Sequence, residues 1–400
     1  MLQFVTRVMN RRFATYATSN YTTEMKVIES PVGQYDSYRV MDEKGKLIGD
    51  EPVVTKSDAI KMYTDMIKLE QMDRILYEAQ RQGRISFYMT SFGEEATHIG
   101  SATALNNDDM VFGQYREAGV LISRGFTFEQ IMNQCYSNVK DLGKGRQMPV
   151  HYGSKDLCFQ TISSPLGTQI PQAAGAGYAL KLEKKGRIAV CYFGEGAASE
   201  GDFHAALNMA ATLESPVIFF VRNNGYAIST PASEQYKGDG IVSRGIGYGI
   251  KSFRVDGNDI WAVHNITKKA REIAAKGEPV LIEAMTYRVG HHSTSDDSTA
   301  YRSKEEIETM TNFGPIARMK SFLMKKKWLT EENNSEIIST IKSQVLSTFA
   351  QAENEKKPPI REMFTDVYEE IPWNLKEQQE ELNRLLEKYP NDFDVGEYSK

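Results

Sequence analysis

The sequence predicts an α/β fold, a doubly wound and mainly parallel sheet followed by a helical C-terminal extension. Two runs, 188–193 and 217–221, indicate buried parallel strands because they are continuously apolar rather than alternating. Between them, 199–213 carries Ala and Leu at helical spacing, with Glu200 and Asp202 in its first turn. Repeated alternation of strand and helix is typical of a sheet that is covered by helices on both faces.

The same reasoning extends the pattern in both directions along the chain. Thr55 and Asp58 have the spacing of a capping box at the start of a long helix. The further predicted elements are strands at 109–114, 252–255 and 279–286, and helices at 55–80, 94–105, 169–182, 259–276, 319–323, 337–346 and 373–386. The expected organisation is a transit peptide (1–20), a segment that wraps the surface or a partner (21–54), an α/β domain (55–303) and a helical C-terminal region (304–400). The resemblance described below implies that the α/β domain binds a diphosphate and that the C-terminal region ends in a subunit-contacting tail.

Composition excludes several classes of protein. A net charge of −5 argues against nonspecific nucleic-acid binding. No apolar run is long enough to span a bilayer, so we expect no membrane span. Cys135, Cys158 and Cys191 show neither metal-binding nor redox spacing, which fits a reducing compartment, and Cys191 is expected to be plain packing in a strand.

The first twenty residues indicate an organellar destination. They contain Arg7, Arg11 and Arg12, several Ser and Thr, and no acid precedes Glu24. This composition is typical of a transit peptide, and the alternative is a disordered basic tail.

Two predicted strands each end at a residue that can bind a metal. Glu195 follows the first strand and Asn224 follows the second, and a right-handed crossover places both ends at one edge of the sheet. Oxygen donors of this kind suit Mg²⁺ that holds a phosphate. Gly194 and Gly196 allow the backbone to approach a pyrophosphate at a helix N-terminus. The alternative is an ordinary turn with a solvated acid.

The segment 287–303 (YRVGHHSTSDDSTAYRS) contains two His, paired Asp and two Arg without apolar periodicity. We therefore expect an exposed, mobile loop. His292 is the best candidate for proton transfer or charge stabilisation, because histidine titrates near physiological pH. The alternative is a surface histidine pair without a role.

These segments also resemble a known family. GEG, followed about thirty residues later by NN, is similar to the thiamine diphosphate motif usually written GDG…NN. Longer blocks resemble the α subunit of the branched-chain 2-oxoacid dehydrogenase, its decarboxylase component: RQGRISFYMT, FGQYREAGVL, GKGRQMPVHYG, GEGAASEGD, RNNGYAISTP and YRVGHHSTSDDSTAYRS. With weaker similarity on either side, the resemblance extends from Met41 to Tyr368.

The resemblance implies the thiamine diphosphate-binding fold and a role for individual residues. It implies catalytic roles for His292, Ser164 and Gln114. It implies contacts with thiamine diphosphate for Tyr115, Arg116, Ser164, Leu166, Gly196, Ala197, Arg222 and His292. Mg²⁺ is implied at Glu195, Asn224 and the backbone carbonyl of Tyr226, and a structural K⁺ at oxygens of Ser163, Pro165, Thr168 and Gln169. Ser293 and Ser303 match the family's kinase sites, and His151 is a possible substrate contact.

The implied activity is oxidative decarboxylation of branched-chain 2-oxo acids, with transfer of the acyl group to lipoyl-lysine on a transacylase core in the mitochondrial matrix. In this family the β subunit of an α₂β₂ heterotetramer supplies the Glu that activates the cofactor, and a kinase and a phosphatase regulate the enzyme. Three alternatives stay open. The first is the pyruvate-specific α subunit, which typically has GDG where this chain has Glu195. The second is a nicotinamide-binding oxidoreductase, although the chain does not match its GxGxxG pattern. The third is a noncatalytic scaffold with the same fold.

Overall fold

The structure, a computed structural model, describes residues 23–25, 34–50 and 52–400. The chain divides into two units, Met1–Tyr35 and Asp36–Lys400, and the description below concerns the second. The transit peptide expected at 1–20 lies outside the described residues, as does part of the segment expected at 21–54.

Parallel strands form the centre of the second unit. The strands are β1 (Met110–Phe112), β2 (Phe159–Gln160), β3 (Ala189–Gly194), β4 (Val217–Asn223), β5 (Tyr226–Ala227), β6 (Thr230–Pro231), β7 (Lys251–Asp256) and β8 (Val280–Met285). In the described residues, six of them form one all-parallel sheet in the order β2-β1-β3-β4-β8-β7, and β5 and β6 form a small antiparallel hairpin. The predicted parallel α/β fold is confirmed.

Helices cover both faces of this sheet. The helices are α1 (Lys56–Arg81), α2 (Glu95–Ala102), α3 (Ala118–Ser123), α4 (Phe128–Cys135), α5 (Gln169–Glu183), α6 (Gly201–Leu213), α7 (Ala232–Gln235), α8 (Val242–Gly247), α9 (Ile260–Ala274), α10 (Lys304–Asn312), α11 (Pro315–Lys325), α12 (Glu331–Glu353) and α13 (Trp373–Lys388). Alternate residues of β3 point to opposite faces. Val190 and Tyr192 pack into one core with α2 and α9, whereas Cys191 and Phe193 pack into a second core with α5 and α6. The chain is therefore doubly wound around its sheet.

Several boundaries differ from the sequence-based expectations. The strand expected at 109–114 has only the three residues of β1, and the helix expected from residue 199 begins at Gly201 after a separate 3₁₀ turn, Ala197–Ser199. At the start of α1, Thr55 accepts the N–H of Asp58 at 3.1 Å. The Asp58 carboxylate binds the Thr55 hydroxyl instead of reaching back to the backbone, so half of the predicted capping box forms. The C-terminal helices are confirmed as α11, α12 and α13.

None of the helices in the described part of the chain combines the length and the apolar character needed to cross a membrane. Cys135, Cys158 and Cys191 are all free thiols, and Cys191 is buried in β3 as expected.

Candidate active site

The candidate site lies where β1, β3 and β4 end at one edge of the sheet. Gly194, the last residue of β3, pairs with Arg222 of β4. The backbone N–H of Gly194 also donates to Gln114 Oε1 at 3.0 Å, which joins the end of β1 to the end of β3. Strand order reverses between β1 and β3, and ligands of open α/β sheets bind at such a switch point. The predicted proximity of the two strand ends is confirmed.

Glu195, directly after β3, has a carboxylate without a full set of partners. The side chain is 1% exposed, and its Oε1 atom has no hydrogen-bond partner among the described residues. Burial raises the pKa of Glu195 and the nearby charge of Glu94 adds to the rise, although the backbone N–H of Asn224 opposes it. A buried carboxylate of this kind is stabilised by a cation, so the residues present fit a metal ion here.

The composition of this site suits a hard cation and not a transition metal. Within the described ranges, no group of three or more His, Cys, Asp and Glu side chains is arranged to hold a metal ion. A site with one carboxylate (Glu195), one amide (Asn224) and one backbone carbonyl leaves several positions for phosphate oxygens and water, which is the coordination that Mg²⁺ prefers.

The turn between β3 and α6 approaches the β5–β6 hairpin closely. A Cβ added at Gly196 would lie 2.8 Å from the Cβ of Ala227, so a side chain at this position would force the two segments apart. Ala197, the next residue, is buried at the start of the 3₁₀ turn. The small residues of this turn therefore allow the β5–β6 hairpin after β4 to lie against it.

Arg222 forms a buried ion-pair cluster that sequence reasoning missed. Its Nε donates to Glu117 Oε1 at 2.6 Å, and its Nη1 donates to Glu94 Oε2. Burial would lower the pKa of Arg222, but the charges of Glu117 and Glu94 outweigh burial and raise it. Glu94 lies in none of the blocks that carry the resemblance, and Glu117 lies in FGQYREAGVL, where no pattern separates it from a surface acid.

Arg116 and Tyr115 contact His292 across the site. The guanidinium of Arg116 donates to the carbonyl oxygens of Thr90 and His292, and its Nη2 lies 3.3 Å from His292 Nδ1. The rings of Tyr115 and His292 are edge to face, with centroids 6.2 Å apart. Three residues that the resemblance implies for the cofactor are therefore brought together.

The surroundings of His292 disfavour its charged form. Burial lowers its pKa, and the positive charges of Arg116 and Arg288 lower it further, to about 3. Its role in proton transfer or charge stabilisation stays a prediction.

The loop at 287–303 is more ordered and more buried than its composition predicts. Arg302 donates to the backbone carbonyls of Arg288 and Gly290 and is itself buried. Asp296 accepts the backbone N–H of His292 at 2.7 Å and the hydroxyl of Tyr301 at 2.6 Å. The expectation of an exposed loop is wrong for its buried residues, because charged side chains of the loop bind its backbone polar groups, and its mobility stays a prediction.

The two predicted phosphorylation sites occupy different environments. Ser293 is partly buried, and its hydroxyl lies 3.0 Å from that of Ser295. Ser303 is exposed at the N-cap of α10, where its Oγ accepts the N–H of Glu306 at 3.0 Å.

The turn that precedes α5 lies against the same edge of the sheet. Gln169 donates through Nε2 to the carbonyl of Tyr192 in β3 at 3.2 Å, and Thr168 donates through its hydroxyl to the Pro165 carbonyl at 3.3 Å. Ser164 Oγ lies 2.6 Å from His151 Nε2. Of the remaining candidates in this turn, Ser163 is partly buried and Leu166 is exposed. The turn thus gathers hydroxyl, amide and carbonyl oxygens near the candidate site.

Comparison with known proteins adds to this geometry. A family model described as the dehydrogenase E1 component matches residues 63–361, which include every candidate site residue named above. The chain is 57% identical to the human protein named 2-oxoisovalerate dehydrogenase subunit alpha, mitochondrial, over 367 residues that cover 91% of this chain and 82% of the relative.

Relatives from distant organisms carry the same name. The Caenorhabditis elegans protein is 56% identical over 364 residues, which cover 90% of this chain and 84% of the relative. The Arabidopsis thaliana protein, subunit alpha 1, is 53% identical over 381 residues, which cover 94% of this chain and 81% of the relative. The similarity therefore extends over both the sheet and the helical C-terminal region.

Proposed function

This chain belongs to the dehydrogenase E1 component family, and on that premise we propose that it is the α subunit of a decarboxylase that acts on branched-chain 2-oxo acids with thiamine diphosphate. The product acyl group passes to lipoyl-lysine on a transacylase core. The relatives named 2-oxoisovalerate dehydrogenase subunit alpha support this substrate class over pyruvate, because the identity is 53–57% along most of the chain.

One observation carries the proposal: the buried, unpartnered Oε1 of Glu195 at the sheet edge that Asn224 also borders. A divalent cation would neutralise this carboxylate, and Mg²⁺ bound by Glu195, Asn224 and the carbonyl of Tyr226 would present a diphosphate to the turn at Gly196 and Ala197. Bound thiamine diphosphate would supply the electron sink for cleavage of the bond between the carboxylate and keto carbons.

The residues around this position would bind and orient thiamine diphosphate. Arg116 presents a guanidinium whose planar donors suit phosphate oxygens, and the Tyr115 ring lies beside it, with the Arg116 charge 5.5 Å from the ring centroid. Neutral His292 presents a hydrogen-bonding imidazole next to both. Ser164, hydrogen-bonded to His151, and Leu166 complete the cofactor contacts on the other side.

Further parts of the proposal concern ions, partners and location. Oxygens of Ser163, Pro165, Thr168 and Gln169 form a structural K⁺ site. The protein works in the mitochondrial matrix as an α₂β₂ heterotetramer with a β subunit, and a kinase and a phosphatase act on Ser293 and Ser303. The relatives' names, which include the word mitochondrial, support the location.

The alternatives have less support. The pyruvate-specific α subunit shares the cofactor site, but the human and Caenorhabditis elegans relatives carry the 2-oxoisovalerate name. A nicotinamide site is not favoured, because the turn after β3 lacks the third glycine of GxGxxG. A noncatalytic scaffold would have no need for the buried Glu195 Oε1, which has no hydrogen-bond partner among the described residues.

The test is isothermal titration of thiamine diphosphate with Mg²⁺ into the full chain, alone and co-expressed with a β subunit, followed by decarboxylation assays. We expect tight binding and turnover of 3-methyl-2-oxobutanoate only in the complex. A preference for pyruvate would favour the rival family, and the absence of cofactor binding in either form would favour the scaffold. Glu195→Gln should weaken Mg²⁺ binding without unfolding the chain.

A further inference from the structure

Glu94 lies inside the candidate site, although neither the sequence nor the family match assigns it a role. Its side chain is fully buried at the residue that precedes α2. Its Oε2 accepts Nη1 of Arg222, and its Oε1 accepts Nδ2 of Asn224 at 2.8 Å. One carboxylate therefore joins the arginine proposed for the diphosphate to the asparagine proposed for the metal.

Both oxygens of the Glu94 carboxylate accept hydrogen bonds from these neighbours. Arg222 donates through Nη1 to Oε2, and Asn224 donates through Nδ2 to Oε1. A carboxylate paired with an arginine in this way offers only acceptor atoms to the groups around it. As a result, Asn224 has to present its NH₂ group to Glu94.

This constraint fixes the other end of the Asn224 amide. With Nδ2 directed at Glu94, Oδ1 points away, where it accepts the backbone N–H of Tyr226 at 3.2 Å. An amide oxygen has two lone pairs, so one remains available to a cation. The flipped amide would place Oδ1 against the Glu94 carboxylate, and two buried acceptors would then face each other without a proton between them.

The contacts around Glu94 hold its side chain in this orientation. Its second oxygen is bound by Arg222, and Arg222 is bound in turn by Glu117 at 2.6 Å. All three side chains are at most 2% exposed, so no water replaces a broken contact without further rearrangement.

We propose that Glu94 is a positioning residue for the divalent cation, because it fixes the orientation in which Asn224 offers Oδ1 to the metal. The inference rests on the proposed function, since it takes Asn224 as a ligand of Mg²⁺. Partners that orient metal ligands typically change metal affinity by about 10- to 100-fold when they are replaced.

The first test compares Glu94→Gln with Glu95→Gln. An amide at position 94 has one acceptor side and one donor side where Glu94 has two acceptors, so it can serve Arg222 or Asn224 but not both. Glu95 is the matched control, since it is an adjacent buried carboxylate whose oxygens accept only the Gly93 N–H, at 3.0 and 3.1 Å, among the described contacts.

The measurement is Mn²⁺ affinity of the α₂β₂ complex at saturating thiamine diphosphate, from the electron paramagnetic resonance signal of free Mn²⁺. We expect Glu94→Gln to weaken Mn²⁺ binding by about 10- to 100-fold and Glu95→Gln to leave it unchanged. Equal affinities of the two variants and the wild type would overturn the inference. A wild-type complex that binds neither Mn²⁺ nor thiamine diphosphate would overturn the proposed function itself.

A second test separates positioning from a general structural role. Asn224→Asp offers oxygens in either orientation but places two carboxylates against each other at Glu94. In that background Glu94→Gln provides a donor to the new carboxylate, so Mn²⁺ binding should strengthen instead of weaken. A loss of affinity of the same size in both backgrounds would show that Glu94 acts only through stability.

Discussion

At the scale of single residues, Glu94 and Glu95 show how neighbouring identical side chains acquire opposite properties. Both are fully or almost fully buried at the start of α2. Glu94 is surrounded by Arg222 and Arg116, and its pKa is lowered to about 2. Glu95 has no such partner, so burial raises its pKa to about 8, and the charges of Glu70 and Asp73 contribute to the rise.

The raised pKa of Glu95 makes stability depend on pH. The folded chain binds the proton more tightly than the unfolded chain, so this stability is full below the usual pKa of 4.5 and is lost as pH rises through about 8. We expect Glu95→Gln to remove this loss of stability at high pH, because glutamine does not ionise. The free energy of unfolding of the variant relative to wild type should rise by on the order of a few kcal/mol between pH 5 and pH 8 and level off above, and the melting temperature should rise with it.

Calorimetry of the assembled complex across this pH range checks the prediction. Asp73, whose pKa burial raises to about 7, stays in place in both proteins and adds its own pH dependence to each. A difference between variant and wild type that does not change with pH would contradict the raised pKa of Glu95.

At the scale of elements, the sequence predicted what depends on local pattern and missed what depends on distant pairing. β3 and β4 were predictable because each is a continuous apolar run, and Glu195 and Asn224 followed from where those runs end. Glu94 could not be found, because its partners lie 128 and 130 residues further along the chain. The burial of the loop at 287–303 was missed in part for the same reason, since Arg116 binds its backbone from beyond the end of β1, in addition to the contacts within the loop.

The two serines of the 287–303 loop should respond differently to negative charge. A carboxylate at Ser293 would lie near Asp296, which already binds the N–H of His292, so repulsion would loosen the loop at the site. We expect Ser293→Glu to lower kcat/KM by on the order of tenfold or more, since a repulsion of about 1.4 kcal/mol has that effect.

Ser303→Glu is the matched control for that variant. Ser303 caps α10, and negative charge is favourable at a helix N-terminus. Steady-state decarboxylation by the α₂β₂ complex should therefore fall for Ser293→Glu and change little for Ser303→Glu. A Ser293→Glu enzyme with wild-type activity would show that charge at this position does not disturb the site.

The Gly-rich loop at 141–153 is connected to the C-terminal region by an ion-pair network. Lys144 Nζ lies 2.7 Å from both Glu362 and Asp366, and Arg146 Nη1 lies 2.7 Å from Asp366. Individual exposed pairs contribute little to stability because water screens their charges, so the network restrains the loop more than it stabilises the fold.

Asp366→Asn should therefore leave the melting temperature nearly unchanged but release Lys144 and Arg146. We expect trypsin to cleave after these two residues faster in the variant than in the wild type, with the sites identified by mass spectrometry. Glu278→Gln breaks an exposed pair with Lys251, far along the chain from this loop, and should leave cleavage unchanged. Equal cleavage in all three proteins would mean that the loop is restrained by other contacts.

At the scale of the whole molecule, apolar side chains remain exposed near the C-terminal tail. Met363, Val367 and Trp373 are 68%, 75% and 78% exposed, and all lie within or beside residues 364–372 (FTDVYEEIP), which resemble the family's tail that lies against the β subunit. Exposed apolar side chains that cluster in this way are typical of a protein–protein interface. The same region carries Glu362 and Asp366, which pair with Lys144 and Arg146 of the loop at 141–153. A partner bound here would therefore lie close to that loop.

Replacing Val367 by Asp and Trp373 by Ser should weaken assembly with the β subunit while the isolated chain stays folded, because neither side chain contributes to the cores. Loss of two apolar anchors is expected to weaken association by on the order of tenfold or more. Light scattering after size-exclusion chromatography would measure the extent of assembly. Leu346→Ser is the control, since Leu346 is an exposed apolar residue of α12 outside this cluster. Because the resemblance implies that the activating Glu belongs to the β subunit, activity should be recovered when the variant is assayed at high subunit concentration. A double variant that assembles like the wild type would place the interface elsewhere.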